Sequence, residues 1–543
     1  MKKVKVFTFN KFCQYILETE GIDFDICNDS KAIEYVRDNY LSLQIDSKDI
    51  VKLIWEAKWL ENVNQKPVTY RDLVNFKPKF KREIEENFEE FRRVWKEYDN
   101  FLREDKLLYF DDVLFETKKL LDNENNRKRW EKKLRVILFD EFQDIDQIQF
   151  KIIWELSKNR RSIFCVGNPN QSIYGFRHAL NRPFETFKKA FPNAKNFELR
   201  VNYRSTVNIL NVSNALIDKG NENYSENLLP CYPRQLGEPV RLLISDKWCN
   251  EIEEILNAVE IVNRQKSISL KKIAILFRCW SFGSLLSEAL IQRKVPFFSE
   301  DPERVLNSEE VRDVLCYLRL ASEDDINDVN FLQIINKPNR NFGPKNLKTL
   351  KRKASKFNIT VMEYTRFLDE RGSDQRCKEL WDLLRDIKVI AKSSLNLSEV
   401  ISKILERTGL LNYYEEIEPS RLQNIKSFLS LVSLIEAKSL SEFLRQYKSC
   451  FRLMNNKDAV YLSTIHGAKG LEFDYVFVMN MNEGLNYSNL VEEERRIFYV
   501  AFTRAKKCLF LSASKDAGII SRFIEDIRPL LLEVDSFVDC VNK

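Results

Sequence analysis

At 543 residues, with 44% hydrophobic and 31% charged side chains, the chain is too long for a single core and suits three or four domains of about 150 residues each. Its 87 lysines and arginines nearly balance 81 aspartates and glutamates, leaving +6, so any surface for a polyanion must be built locally. Eleven scattered cysteines never form C-x-x-C, which excludes a recognisable zinc or iron–sulfur framework and points to a reducing, cytoplasmic compartment; no membrane span or signal segment is expected either.

In chain order, residues 20–110 read as charged, aromatic and helical, as in Phe80-Lys81-Arg82-Glu83-Ile84-Glu85-Glu86. From about 110 onward, β-rich runs at 135–140, 162–167, 240–245, 273–278, 475–480 and 508–512 alternate with amphipathic helical stretches. That alternation predicts an α/β fold with parallel sheets. Residues 331–450 are again helical and poor in strands. The order fits two α/β cores, each interrupted by a helical insertion: 1–19 and 111–238 for the first core, with 20–110 inserted, then 239–330 and 451–543 for the second, with 331–450 inserted.

The most informative run is Val136-Ile137-Leu138-Phe139-Asp140-Glu141-Phe142-Gln143-Asp144, which reads as a buried apolar strand ending in two adjacent carboxylates. Nucleotide-hydrolysing α/β sheets hold magnesium at such a strand end: Asp140 can hold the ion, and Glu141 can orient and deprotonate the attacking water. The companion of this feature is a phosphate-cradling loop, G-x-x-x-x-G-K-[ST], and no such loop occurs in these residues. After the next strand comes Gly167-Asn168-Pro169-Asn170-Gln171-Ser172-Ile173-Tyr174-Gly175-Phe176-Arg177-His178. Alone this is a surface turn; it can also sense a phosphate through Gln171 and stack bases on its aromatics. Asn202-Tyr203-Arg204-Ser205 reads as a capped helix start, and Phe277-Arg278 puts an aromatic and an arginine at a strand end. Thr464-Ile465-His466-Gly467-Ala468-Lys469-Gly470-Leu471-Glu472-Phe473 carries a His, a Lys, two glycines and a Glu between strands. Residues 492–506 read as one helix, with Ile497, Phe498, Ala501 and Ala505 on its apolar face, and with Arg504 beside a Thr amid apolar residues as a candidate transition-state arginine.

Taken together, and in this order, the clusters resemble the UvrD/Rep/PcrA-type helicases of superfamily one, over about residues 8–512. Five or six motif matches in sequence order are specific. The resemblance implies two RecA-like cores, the first incomplete at its amino terminus, and an ATP-dependent 3′-to-5′ DNA helicase that uses ATP and Mg²⁺. It implies residue roles too: Asp140 on the metal, Glu141 as catalytic base, Gln171, Arg278 and Arg504 on the terminal phosphate, Phe277 against the adenine and Glu472 on the ribose. Thr8, Phe9, Tyr174, Phe176 and His466 resemble contacts to single-stranded DNA. Asp140, Glu141, Gln171, Arg278, Glu472 and Arg504 are expected to converge on one cleft between the two α/β cores, because these separated motifs have one nucleotide to serve.

The chain departs from the family pattern at Asn168, where Asp is usual, at Phe176, where Trp is common, and at His178, where Gly is usual. Val6-Phe7-Thr8-Phe9-Asn10-Lys11-Phe12 resembles the motif that normally follows the phosphate loop. The expectation is therefore a helicase acting on single-stranded DNA and duplex junctions that needs a missing amino-terminal segment, whether from a shortened gene or from a complementing polypeptide. The alternative is a non-hydrolysing DNA-binding or regulatory subunit. A nuclease fusion fits least, because only about thirty residues follow Ser512 and they hold no carboxylate–lysine cluster.

Overall fold

A computed structural model describes all residues except 1–3, 40–44, 46, 160–161, 221–226, 232–234, 300–307, 323–327, 394, 418, 435–436, 438, 455–456, 484–490 and 542–543. It divides into two units, Met1–Leu199 and Arg200–Lys543, and both are α/β with parallel strand pairing. Among the described residues no helix is long and apolar enough to cross a membrane.

The first unit contains α1 (Phe9–Thr19), β1 (Asp25–Cys27), α2 (Ser47–Asn64), α3 (Phe88–Glu104), β2 (Leu107–Tyr109), α4 (Asp112–Asp122), β3 (Ile137–Phe139), α5 (Gln147–Ser157) and β4 (Ile163–Cys165), with further short helices between them. The helical stretch 20–110 is bracketed by β1 and β2, which pair in parallel with Asp25 opposite Leu107. Three residues per strand are too few for an alternating pattern, so the sequence reading missed both. Between them, Ile54, Ala57, Phe91, Val94, Tyr98 and Leu102 of α2 and α3 help form a separate small core. A second core joins α1, α4 and α5 through Ile16, Leu17, Val113, Leu121, Ile148 and Ile152. The start of α5 is fixed locally: Asp146 accepts from Gln149 N at 2.8 Å and the Gln149 side chain accepts from Asp146 N, a reciprocal capping box.

β3 and β4 pair in parallel, Leu138 opposite Phe164. Ile137, Phe139, Ile163 and Cys165 turn toward the packed side. The strand ending in the acidic pair was expected to be buried, and on its other face it is not: Val136, Leu138, Phe164 and Val166 are 59%, 69%, 55% and 41% exposed. Among the described residues these two strands form a sheet of their own, packed on the face of Ile137, Phe139, Ile163 and Cys165 and open on the other. Residues 136, 138 and 140 share a face by strand periodicity, so the exposed apolar strip runs out at the Asp140 carboxylate.

The second unit contains α6 (Val207–Asp218), β5 (Arg241–Ser245), α7 (Trp248–Arg264), β6 (Ile273–Phe277), β7 (Phe297–Ser299), β8 (Val460–Thr464), β9 (Phe473–Val478), α8 (Val491–Phe502), β10 (Ala505–Ser514) and β11 (Leu532–Val534). Its seven-stranded sheet has the order β11-β5-β10-β9-β6-β8-β7 and is parallel throughout. Ile273–Phe277 is buried at every position, the continuous apolar pattern of a strand covered on both faces. Among the described residues the helices inserted between β7 and β8 begin at Glu309, upstream of the expected 331, and Glu309–Ser322 is buried along most of its length. Their core is continuous with the sheet, from Ile275, Phe477 and Phe510 to Leu318, Leu384 and Ile404.

Two further differences from the sequence reading have local causes. Residues 200–238, expected in the first core, belong to the second unit: Ser205 Oγ donates to Ala505 O at 2.6 Å, Thr206 N donates to Lys506 O at 3.1 Å, and α6 packs on α8. The helix expected over 492–506 ends at Phe502, so Ala505 starts β10 and Arg504 sits in the turn between them. Every residue of 493–502 is buried, so α8 has no solvated charged face.

Candidate functional site

In the first unit the chemistry gathers at the ends of β3 and β4. Glu141 adopts a left-handed conformation, φ 55°, directly after the strand, and its backbone N–H donates to Asp140 Oδ1 at 2.9 Å. A non-glycine residue in that region is strained, and such strain concentrates at functional turns. Asp140 and Glu141 are both exposed. Behind them Gln143 is fully buried: its Nε2 donates to Glu141 Oε2, and its Oε1 accepts from Asn168 N at 2.9 Å. Its backbone carbonyl accepts from Ser172 Oγ at 3.1 Å. One amide thus ties the acidic turn to the turn carrying Gln171, whose N–H donates to Asn168 O at 2.9 Å. Gly167 permits this approach, since a Cβ there would sit 2.1 Å from Gln143 Oε1 and 2.9 Å from Phe142 N.

The sequence reading took Gln143 as part of a motif and gave it no role. The signal was its spacing, two residues after Glu141 of the acidic pair, and only burial shows what it holds.

Tyr174 and Phe176 lie beyond Gln171 on a short 3-10 turn, ring centroids 5.9 Å apart, and the Arg177 guanidinium stands 5.6 Å from each ring. Phe176 is 59% exposed, an available stacking surface. Thr8 is exposed at the start of α1, whereas Phe9 packs inward on Phe139 at 5.7 Å. That ring, expected at DNA, serves the core.

In the second unit the candidate residues form two groups, set at opposite ends of the sheet by its register. Thr464 pairs with Phe277 at the carboxyl ends of β8 and β6, and there Arg278 and His466 follow. Glu472 and Arg504 precede the amino ends of β9 and β10, where Phe473 pairs with Ala505. Val478 pairs with Leu276, so six steps along β9 separate the levels, about 20 Å at the usual rise.

At the first end, Arg278 grips the buried Glu494 of α8 with two bonds, Nε to Oε2 at 3.0 Å and Nη2 to Oε1 at 2.7 Å. Glu494 was not singled out in the sequence, because a Glu in a charged helix carries no mark of burial. Phe277, expected against the adenine, is 0% exposed and packs on Trp280 at 5.1 Å, with Gly283 leaving room for its ring. Its position at the last residue of a doubly covered strand makes it core, a correction to the sequence reading. His466 is half-buried in the turn after β8, where Gly467 N donates to Thr464 Oγ1 at 3.2 Å.

At the other end, Glu472 accepts from Arg204 Nε at 2.8 Å and pairs with Lys506. These two cations, Lys506 foremost, hold its carboxyl below the usual range. Arg204 also donates to Thr503 O at 3.1 Å. Arg504 is 1% exposed and donates to Val500 O at 3.0 Å, Leu471 O at 3.1 Å and Thr503 Oγ1 at 3.1 Å. Residues from three distant segments, 202–205, 471–473 and 503–506, therefore meet in one polar knot. The Asn202 side chain shapes its entry by accepting from Arg204 N and Ser205 N, both at 2.9 Å.

Among the described residues no three His, Cys, Asp or Glu side chains are grouped to hold a metal. Mg²⁺ does not need such a cage, being bound by one or two carboxylates together with phosphate oxygens and water, so an exposed Asp140 at a strand end fits it.

Comparison with known proteins agrees with the motif order. Residues 1–192 match the UvrD/REP helicase N-terminal domain and residues 197–516 the UvrD-like helicase C-terminal domain, and the chain belongs to the UvrD-like helicase family. It is similar to the ATP-dependent DNA helicase PcrA of Staphylococcus epidermidis, 27% identical over 567 residues, which covers 97% of this chain and 76% of that protein. It is also similar to the ATP-dependent DNA helicase Rep of Buchnera aphidicola subsp. Acyrthosiphon pisum, 30% identical over 455 residues, covering 78% of this chain and 70% of the relative. The PcrA of Staphylococcus aureus strain Mu50 is 26% identical over 567 residues, covering 97% and 76%.

Proposed function

We propose that this chain is the motor of an ATP-dependent DNA helicase in the cytoplasm, moving 3′-to-5′ along single-stranded DNA and opening duplex junctions. The observation that carries the proposal is the buried Gln143 amide, which binds the Glu141 carboxylate and the backbone of the Gln171 turn at once. A change at one is mechanically a change at the other. That is what a motor needs to link water activation to phosphate sensing.

In this reading Asp140 would hold Mg²⁺, which when bound neutralises phosphate charge. Glu141 orients the attacking water and takes its proton. Gln171 reports on the terminal phosphate, and Arg504, on the side of the sheet that holds Glu472, stabilises charge on it, while Arg278, at the opposite end, reaches it only if the second unit rearranges. Both arginines are held by other acceptors, Glu494 for one and backbone carbonyls for the other, so engagement means exchanging partners. Glu472, fixed by Arg204 and Lys506, accepts from a ribose hydroxyl. Tyr174, Phe176 and His466, with Thr8, contact the strand.

The phosphate cradle is assigned to polypeptide outside residues 1–543, seated on the strip of Val136, Leu138, Phe164 and Val166. Two observations support this: no G-x-x-x-x-G-K-[ST] occurs within these residues, and the strip leads directly to Asp140. The absent loop also favours a second reading, a DNA-binding subunit that does not hydrolyse ATP.

One assay separates the readings: ATP hydrolysis in the presence of single-stranded DNA, by this chain alone and with an added strand-loop-helix peptide carrying the phosphate loop. The chain alone should be nearly inert, since losing the cradle is comparable to losing an arginine finger, about 10³–10⁵ in rate. The peptide should restore turnover that Glu141→Gln abolishes. Robust turnover by the chain alone, abolished by Glu141→Gln, would overturn the assignment of the cradle. No turnover in either case, with DNA binding intact, would favour the subunit.

A further inference from the structure

His178 occupies a conformation that the sequence does not make easy. It ends the 3-10 turn Gly175–Arg177 with φ 62° and ψ 21°, left-handed backbone that glycine adopts without penalty and other residues rarely do. What holds it there is a set of contacts from α2. The ring lies parallel on Trp59, centroids 3.7 Å apart and planes within 16°, with Trp55 one helical turn away at 5.4 Å. Nε2 is 2.9 Å from Glu56 Oε2, and with the proton on Nε2 the ring donates to that carboxylate. The Glu56 side chain is 4% exposed and that of His178 18%. A carboxylate so buried needs a hydrogen-bond donor, and the imidazole supplies one. Other charges lie close: His178 acts on Asp146, and Asp146 and Arg177 act on Asp111.

The turn that His178 ends presents Tyr174 and Phe176, clasped by Arg177. It is secured at both ends, by Ser172 Oγ on Gln143 O at 3.1 Å and by Leu180 N on Ile145 O at 2.8 Å, with Ala179 bridged to Asp146. Between those anchors its apex is exposed. His178 grips the end of the apex from outside the loop.

We propose that His178 is a positioning residue for single-stranded DNA: clamped by Glu56 and Trp59, it fixes the turn so that Tyr174 and Phe176 are held at stacking distance for successive bases. The clamp makes the helical insertion part of the DNA grip, because a shift of α2 moves the turn. This rests on the DNA role of Phe176 in the proposed function. It goes beyond that role in assigning the grip to a residue that touches no base.

The test is a double-mutant cycle on the full chain, reading affinity for a fluorescent oligo-dT by anisotropy, with thermal melting in parallel. His178→Gly keeps the left-handed backbone and removes both the stack and the hydrogen bond. It should weaken binding about tenfold, within the range of one lost base stack. Phe176→Ala should weaken binding at least as much, and His178→Gly should then cost less than it does alone, because part of its effect runs through the Phe176 ring. Glu56→Gln, which keeps an acceptor but loses the charge, should give an intermediate loss and serves as the readout if His178→Gly fails to fold. Unchanged affinity in His178→Gly, or losses that multiply in the double variant, would overturn the proposal, since a merely structural residue lowers melting without coupling to Phe176. If Phe176→Ala alone leaves affinity intact, the DNA reading of the turn falls and this proposal with it. If only the His178 and Glu56 variants are silent, the DNA reading stands and the clamp fails.

Discussion

The pair of Arg278 and Glu494 offers the sharpest energetic test of how the second unit is built. The guanidinium makes a two-point fork on the carboxylate, at 3.0 and 2.7 Å, and the Glu494 side chain is only 1% exposed while that of Arg278 is 12%. Taking one partner from such a pair leaves the other charge in a low-dielectric setting, which costs about 3–5 kcal/mol. Arg278→Met should therefore cost about that much, because it strands the more deeply buried carboxylate. Glu494→Leu should cost less, since the arginine retains some solvent. The double variant Arg278→Met/Glu494→Leu restores an uncharged, similar volume and should lie within about 1 kcal/mol of the native chain, or above it. Urea unfolding supplies the free energies, and hydrogen exchange at the amides of 273–277 locates the loss in the sheet. A cost below about 1 kcal/mol for Arg278→Met, or a double variant as unstable as the sum of the singles, would refute the idea that these groups depend on each other.

Gly167→Ala should destabilise the first unit by about 1–3 kcal/mol, because the new methyl would fall 2.1 Å from Gln143 Oε1 and force the amide away from Asn168; urea unfolding with no loss would mean that the Gln143 bridge is slack. Burial pushes the carboxyls of Asp111 and Asp146 up to about 6. Their folded values lie above their unfolded ones, so the stability linked to their protonation is complete below about pH 4 and lost as pH rises through 6. Asp111→Asn should accordingly stabilise the first unit by about 2 kcal/mol at pH 7.5 and by little at pH 4. An equal effect at both pH values in denaturant titrations would show that burial does not raise the Asp111 carboxyl above its unfolded range.

The order of chemistry was legible in the sequence. Short apolar runs ending in charged or amide-rich segments marked the strands and the turns after them, because a parallel sheet places its functional groups where strands end. That pattern made Asp140, Glu141, Gln171 and Arg278 candidates in the segments that follow strands, whereas Glu472 and Arg504 precede theirs. The sequence could not say which polar side chains are buried, since a Gln or Glu within a motif looks the same whether solvated or enclosed. Gln143 and Glu494 emerged only from the packing around them. Burial likewise decided against Phe277 and Phe9, whose rings the core claims. His178 was noticed as a departure from a family pattern, but its meaning lies in Trp59 and Glu56, more than a hundred residues away. Local sequence sets which groups stand at the end of a strand; only the tertiary fold brings the distant partners that hold them, because burial and hydrogen bonding depend on segments that the chain order keeps apart.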